Sequence, residues 1–361
     1  ARAPVGVLWL TDRWPFRTAR GRRILGRWLA ACERGLPPSR EIAAFLDAQQ
    51  PDVVLFTPLI GVVASPQLDC LYAAMARRLP TALCVWSWDH LSSKALIRTV
   101  PDRILVWNPT QYREATELHG VAPDRVVVTG AQCFDQWFDR QPSQSRAGFC
   151  RRAGLRDDRP FLLWVCSSLF KGSPPEAQFV MRWVRELRDS GHLELRDANI
   201  LVRPHPSRFP EWEGVEVASE PGVALFGGNP IDPESRADYF DSLHYSTAVA
   251  GLNTSAFIEG AIAGRPAFTI LLPEYFENQE GTIHFHYLFN GEEGLLHGAR
   301  TFGEHAEQLA AALRGEVGAE RSRRFVDAFV RPHGTGEAAT PRVVAAIELL
   351  PAVAPRLAPA S

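Results

Sequence analysis

The sequence predicts an α/β protein made of two open parallel-sheet domains in series. Three observations carry this. The chain has 361 residues, more than one compact core usually holds. Short β-rich apolar runs alternate with helical patterns, as expected of parallel strands joined by crossover helices. A polar stretch at 139–158 interrupts the alternation, which then restarts.

In the first half, strands are predicted at 5–10, 53–56, 81–86, 103–106 and 125–128. Helices are predicted at 23–34, 40–49, 68–79 and 111–119. Pro51-Asp52 and Pro101-Asp102 punctuate strand starts. In the second half, strands are expected at 161–166, 199–202, 248–252 and 267–272. Helices are expected at 175–188, 232–245, 255–263, 304–314 and 338–350. The Pro/Ala-rich tail 351–361 reads as frayed. Domain limits follow at 1–140 and 141–335, with 336–361 as a closing helix and tail.

Apolar residues make up 46% and charged residues 22%, which excludes a disordered chain. Lys and Arg number 39 against 41 Asp and Glu, so no field exists for wrapping nucleic acid. No apolar run reaches the roughly 18 residues of a membrane span. Ala1-Arg2-Ala3-Pro4 and the run after it do not read as a secretory signal, because Asp12 interrupts the exit. The six cysteines are scattered without a C-x-x-C. They read as thiols of a reducing compartment, and the expected location is cytoplasmic.

Ligands of open parallel sheets collect beyond the carboxyl ends of the strands. In AVAGLNTSAFIEGAIAGRP (248–266), Asn253, Thr254 and Ser255 follow a buried run and open a helix. Free N–H groups and hydroxyls there suit a diphosphate. Glu259 lies one turn beyond Ser255, placed to accept from a ribose diol. The alternative is a plain helix cap with a solvated Glu259. In ILVRPHPSR (200–208), a strand delivers Arg203 and His205 to its end. An Arg fork matches phosphate oxygens, and His205 suits donation or proton transfer. A surface Arg and a packed His are the alternative.

CVWSWDHLSSK (84–94) sets Asp89 and His90 among tryptophans suited to a sugar face. Asp89 is the first candidate general base and His90 the second; core tryptophans and a capping Asp89 are the alternative. Ser167 and Ser168 in VCSSLFK (165–171) stand where donor oxygens would lie, or in a plain turn. Gln279 and Glu280 in NQEGTIHFH (278–286) read as a ligand loop or a surface loop. His284 and His286 would share a strand face, but no third ligand stands at metal-site spacing, so no metal is expected.

These residues together resemble the GT-B glycosyltransferase superfamily. LHGVAPDRVVVTGAQCFD (118–135) resembles the crossing from the first domain to the second. GLNTSAFIEGAIAGRPAFTI (251–270) is similar to the donor-binding strand–loop–helix. It is also like the matching segment of CDP-glycerol glycerophosphotransferases, capsule-synthesis transferases and UDP-N-acetylglucosamine 2-epimerases. The RPHP at 203–206 looks like that of the glycerophosphotransferase and epimerase branches. The resemblance covers about 100–340.

It implies two Rossmann-like domains facing a central cleft and a metal-independent glycosyltransferase without a cofactor, in cell-surface glycan synthesis. A nucleotide-sugar donor would meet Thr254 and Ser255 at its diphosphate, Glu259 at its ribose, and Arg203 and His205 on the donor side. The acceptor would be a glycan or a lipid-linked glycan. The basic stretch 17–34 reads as a helix with a solvated face, or as a peripheral membrane contact for such an acceptor. The chain departs from the superfamily at two points. Ala267 stands where many members carry a second glutamate, and Thr11-Asp12-Arg13-Trp14 replaces a Gly-rich loop. The rival readings are a nucleotide-sugar epimerase, a CDP-polyol phosphate transferase and a non-catalytic nucleotide-sugar binder.

Overall fold

The computed structural model describes residues 5–59, 66–94, 96–289 and 294–350. The tail expected to fray, 351–361, lies outside them, as does the start of the chain at 1–4. The chain divides into two compact units, one drawn from Ala1–Gly130 and Ala339–Ser361, the other from Ala131–Ala338.

The first unit begins with helices α1 (Val5–Thr11), α2 (Ala19–Gly35) and α3 (Arg40–Gln49). Strands β1 (Val54–Phe56), β2 (Thr81–Cys84), β3 (Arg103–Val106) and β4 (Val126–Val128) form a parallel sheet in that order. Helix α4 (Pro66–Ala76) connects β1 to β2, and α5 (Pro109–Arg113) follows β3. Leu83, Ile104 and Val106 pack with Leu71 of α4 as the core. One strand prediction is corrected. Residues 5–10 are helical, and the sheet begins only at β1. A six-residue apolar run satisfies either periodicity, and this one pairs with no strand among the described residues. On the expected basic helix, α2, Arg20, Arg23 and Arg27 are exposed beside exposed Ile24 and Trp28.

The second unit starts with α6 (Asp135–Phe138) and α7 (Arg146–Arg152). The polar 139–158 stretch belongs to this unit. There the buried Asp241 carboxylate accepts from the Ser143 amide at 2.9 Å and its hydroxyl at 2.7 Å. The remaining elements are β5 (Phe161–Val165), α8 (Glu176–Asp189), α9 (Leu193–Asp197), β6 (Asn199–Arg203), β7 (Val223–Leu225), α10 (Pro233–Tyr245), β8 (Ala248–Gly251), α11 (Ala256–Ile262), β9 (Ala267–Ile270), α12 (Ile283–Phe289), β10 (Leu296–Ala299), α13 (Phe302–Leu313) and α14 (Glu320–Phe325). The strand order is β10-β9-β8-β5-β6-β7, all parallel.

That order is the doubly wound one, with its reversal between β5 and β8. β5, β6, β8 and β9 are buried along their whole length, which explains their continuous apolar runs. Gly251 is required at the reversal: a Cβ there would sit 2.7 Å from the Val165 carbonyl of β5. Trp164, Trp183 and Phe179 fill the core between sheet and α8, with the two indoles 4.7 Å apart. After Ala338 the chain returns to the first unit as α15 (Thr340–Glu348), whose Val343 and Ala346 pack on Cys84 and Leu105.

His284 and His286 do not share a strand face. The segment is α12, and two residues apart on a helix is nearly opposite sides. No described helix is long and apolar enough to cross a membrane. Among the described residues no cluster of His, Cys, Asp and Glu forms a metal site.

Candidate functional site

The richest polar arrangement stands at the reversal of the second sheet. β5 and β8 end side by side there, and the Asn253 amide donates to Ser167 Oγ at 3.1 Å. Ser167 is buried, and its own amide donates to Glu176 at 2.7 Å. Glu176 also accepts from Trp164 Nε1 at 3.1 Å. Burial pushes this carboxyl up to about 8, while those two donors and Arg208 pull it down. Ser168, the other serine of the loop, is exposed.

Asn253 donates to the Asn278 carbonyl, and its Oδ1 is buried without a hydrogen-bond partner among the described residues. Asn278 in turn accepts from the Phe170 amide and donates to Ser173. One asparagine thereby ties the loop after β9 to the loop after β5. The helix opening at 253–255 is weaker than expected. α11 has seven residues, Ser255 is exposed without a side-chain cap, and Thr254 Oγ1 accepts from Ala256 at 3.4 Å. So short a helix supplies little dipole, and any anion must be met chiefly by a formal cation.

Arg203 is a buried formal cation at a strand end. It ends β6 at 3% exposure, with its guanidinium 5.1 Å from the Tyr239 ring centroid. Its hydrogen bonds are long, 3.4 Å to the Gly228 carbonyl and 3.5 Å to that of Asp238. Burial pushes its pKa down, but a guanidinium stays charged in proteins. Gly227 makes room for it, at φ +97, where a Cβ would meet Arg203 Nη1 at 2.2 Å.

Tyr239 also donates its hydroxyl to Glu259 Oε2. Glu259 is half-buried, and burial lifts its carboxyl to about 7 against the pull of the Tyr239 bond. The structure therefore brings Arg203 and Glu259 together through a residue that the sequence did not flag. Tyr239 sits in a helical run of unremarkable periodicity, and only the fold sets it between β6 and α11.

His205 is half-buried, two residues beyond Arg203 in the chain. Its Nδ1 accepts from the Ser207 amide at 3.2 Å, so the ring proton belongs on Nε2. Burial and Arg208 lower its pKa. The neutral ring is thus a donor through Nε2 at neutral pH.

Gln279 is not at the surface of a ligand loop. It is 1% exposed, with Nε2 near the Leu252 carbonyl, Thr269 Oγ1 and the Ile270 carbonyl at 3.0–3.1 Å. It is a strut between the ends of β8 and β9. Glu280 is paired with Arg300 at 2.7 Å.

In the first unit, Asp89 follows β2 as expected. It is nearly buried and accepts from Ser87, from Ser93 at 3.1 Å and from Lys94 at 2.8 Å. Lys94 also stands 5.3 Å over the exposed Trp86 ring. His90 has no exposed surface, and burial lowers its pKa to about 4. The second candidate base is thus enclosed in this structure, while Asp89 keeps a little exposure.

No protein-family model matches the chain, and no curated protein matches it. Solved structures do. A putative UDP-N-acetylglucosamine 2-epimerase from Listeria monocytogenes superposes with a TM-score of 0.58 at 17% identity, covering 85% of this chain and 76% of its own. The UDP-GlcNAc 2-epimerase from Methanocaldococcus jannaschii in complex with UDP-GlcNAc and UDP gives 0.55 at 13%, covering 85% and 78%. A glycosyltransferase from Rickettsia africae ESF-5 gives 0.53 at 13%, covering 86% and 79%. The architecture, two parallel sheets with interleaved helices, is that of these chains.

Proposed function

We propose that this protein of GT-B fold is an enzyme that binds a nucleotide-sugar in its second unit and transfers the sugar to a hydroxyl acceptor. The observation that carries the reading is Arg203, a buried guanidinium at the carboxyl end of β6 whose hydrogen bonds among the described residues are long ones to carbonyls. Such a charge is costly unless an anion completes it. A diphosphate fits its planar fork. Glu259 Oε1 would take the ribose, and the unpartnered Asn253 Oδ1 offers one more acceptor. The similar epimerase solved with UDP-GlcNAc and UDP supports a nucleotide-sugar as the ligand.

Transfer releases a nucleoside diphosphate, whose developing charge needs preorganised donors. Arg203 and His205 Nε2 would supply them. The acceptor, a glycan or a lipid-linked glycan, would be handled by residues 1–140, and the donor by residues 141–335. Asp89 would take the acceptor's proton after releasing Lys94. On this reading Asp89→Asn lowers kcat by about 100-fold or more, the typical worth of a general base. Nucleotide affinity should stay unchanged in calorimetry. Weakened nucleotide binding would contradict the division of roles.

Glu259 gives a prediction with two opposite signs. Its folded pKa, about 7, lies above that of an unfolded glutamate. The folded state therefore holds its proton longer, and stability is lost as pH rises from the unfolded value through 7. Ribose binding needs the carboxylate, so nucleotide affinity should rise over the same interval. Melting and calorimetry from pH 5.5 to 8.5 read both, and Glu259→Gln should flatten each.

Epimerisation is the second reading, favoured by the 2-epimerase names of several similar structures. Incubating the protein with each nucleotide-sugar it binds, with and without acceptor, separates the two. Transfer yields free nucleoside diphosphate and a glycoside only when acceptor is present. An epimeric nucleotide-sugar formed without acceptor would replace the first reading by the second.

A further inference from the structure

The geometry assigns to Tyr239 a positioning role: it sets Arg203 and Glu259 in register and thereby fixes a preference for ribose over deoxyribose nucleotides. The inference rests on the reading of Arg203 and Glu259 as the diphosphate and ribose groups.

Helix α10 projects Tyr239 between the end of β6 and α11. Its hydroxyl donates to Glu259 Oε2, and its ring lies under the Arg203 guanidinium at 5.1 Å. The ring is held edge-on by Trp137, with centroids 5.8 Å apart and planes at 87°. Trp137 also packs on Phe240, the next residue of α10. One aromatic side chain, itself wedged, thus touches both groups.

Each contact has a consequence for binding. A glutamate side chain has three rotatable bonds, and freezing such a chain at the moment of binding costs affinity through lost rotamer freedom. The Tyr239 bond freezes it beforehand. Because that bond uses Oε2, the second oxygen, Oε1, is left in a fixed place to accept from a diol. The ring face supports the Arg203 fork by cation–π attraction, beside the favourable charge of Asp238. The room for that fork comes from Gly227.

Substitution separates the two halves of the role. Tyr239→Phe keeps the ring under Arg203 and removes only the bond to Glu259. Tyr239→Leu removes both. The full chain and both variants would be titrated with UDP, GDP, CDP and ADP, with the 2′,3′-dideoxy counterpart of each, and with inorganic pyrophosphate. Circular dichroism and melting would establish that the variants fold. Wild type should prefer its best ribonucleotide to the dideoxy form by roughly tenfold or more, as sites built to bond a hydroxyl do. Tyr239→Phe should bring that ratio close to one and leave pyrophosphate binding as in wild type. Tyr239→Leu should weaken pyrophosphate as well.

A Tyr239→Phe protein that keeps the wild-type ratio would overturn the inference and leave the ribose reading standing. Equal weakening of every probe by Tyr239→Phe would also overturn it, since that is the mark of a merely structural residue. A wild type without any preference would remove the ribose reading itself, and the inference with it.

Discussion

Replacing Arg203 by alanine should remove most of the nucleotide affinity while leaving the second unit folded. Hydrogen bonds to charged groups contribute about 1.5–3 kcal/mol each. A forked pair on a diphosphate therefore accounts for roughly 100-fold or more in Kd, at 1.4 kcal/mol per tenfold. The sign of the stability effect is the informative part. Without ligand, Arg203 is a buried cation whose described bonds are two long ones to carbonyls. Burial works against this charge more than Tyr239 and Asp238 favour it, so the fold carries it at a cost. Arg203→Ala should therefore melt no lower than wild type in the absence of nucleotide, and lose the ligand-induced rise. A large drop in the ligand-free melting temperature would show that Arg203 holds the fold and is not kept for an anion. Gly227→Ala should mimic the binding loss, because its Cβ would occupy the place of the guanidinium.

The largest stability effect should come from Trp164. It is fully buried in β5 between Trp183 and Phe179. Truncating such a residue to alanine costs about 3–5 kcal/mol through lost transfer and the cavity left behind. That is a large part of the 5–15 kcal/mol typical of a domain. The loss is compounded, because the Trp164 indole N–H is one of two donors on the buried Glu176 carboxyl. Trp164→Phe keeps most of the packing and removes only the donor, and should cost about 1–3 kcal/mol. Denaturant melts of the two variants separate packing from the hydrogen bond. Equal costs would mean that the Glu176 bond dominates and packing does little.

The fold was largely legible because parallel sheets are covered on both faces. Runs such as 161–166 and 267–272 are read as interior strands from their regular alternation with helical stretches, which show their own periodicity. The short strands β7 and β10 were missed. β7 has three residues, and His297 and Gly298 interrupt the apolar pattern of β10. The run at 5–10 was misread because six apolar residues fit a helix or a strand equally.

Rules about strand ends pointed to Arg203, Asn253 and Ser167, and the structure sets all three at or just after the carboxyl ends of β6, β8 and β5. Gln279, read as part of a ligand or surface loop, and His90, the second candidate base, are both enclosed. Tyr239, Glu176 and Gly227 left no trace in the sequence. Their importance lies in contacts between elements distant along the chain, which local pattern does not carry.

The most direct test of the central claim is a thermal-shift titration of the full chain with UDP, GDP, CDP, ADP and TDP and their common sugar conjugates. A ligand bound only by the folded state raises the melting temperature by mass action. The account predicts a clear rise with one nucleotide family and its conjugates, abolished in Arg203→Ala. No rise with any of them at about millimolar concentration, where even a weak site of Kd near 0.1 mM stabilises by over 1 kcal/mol, would contradict it.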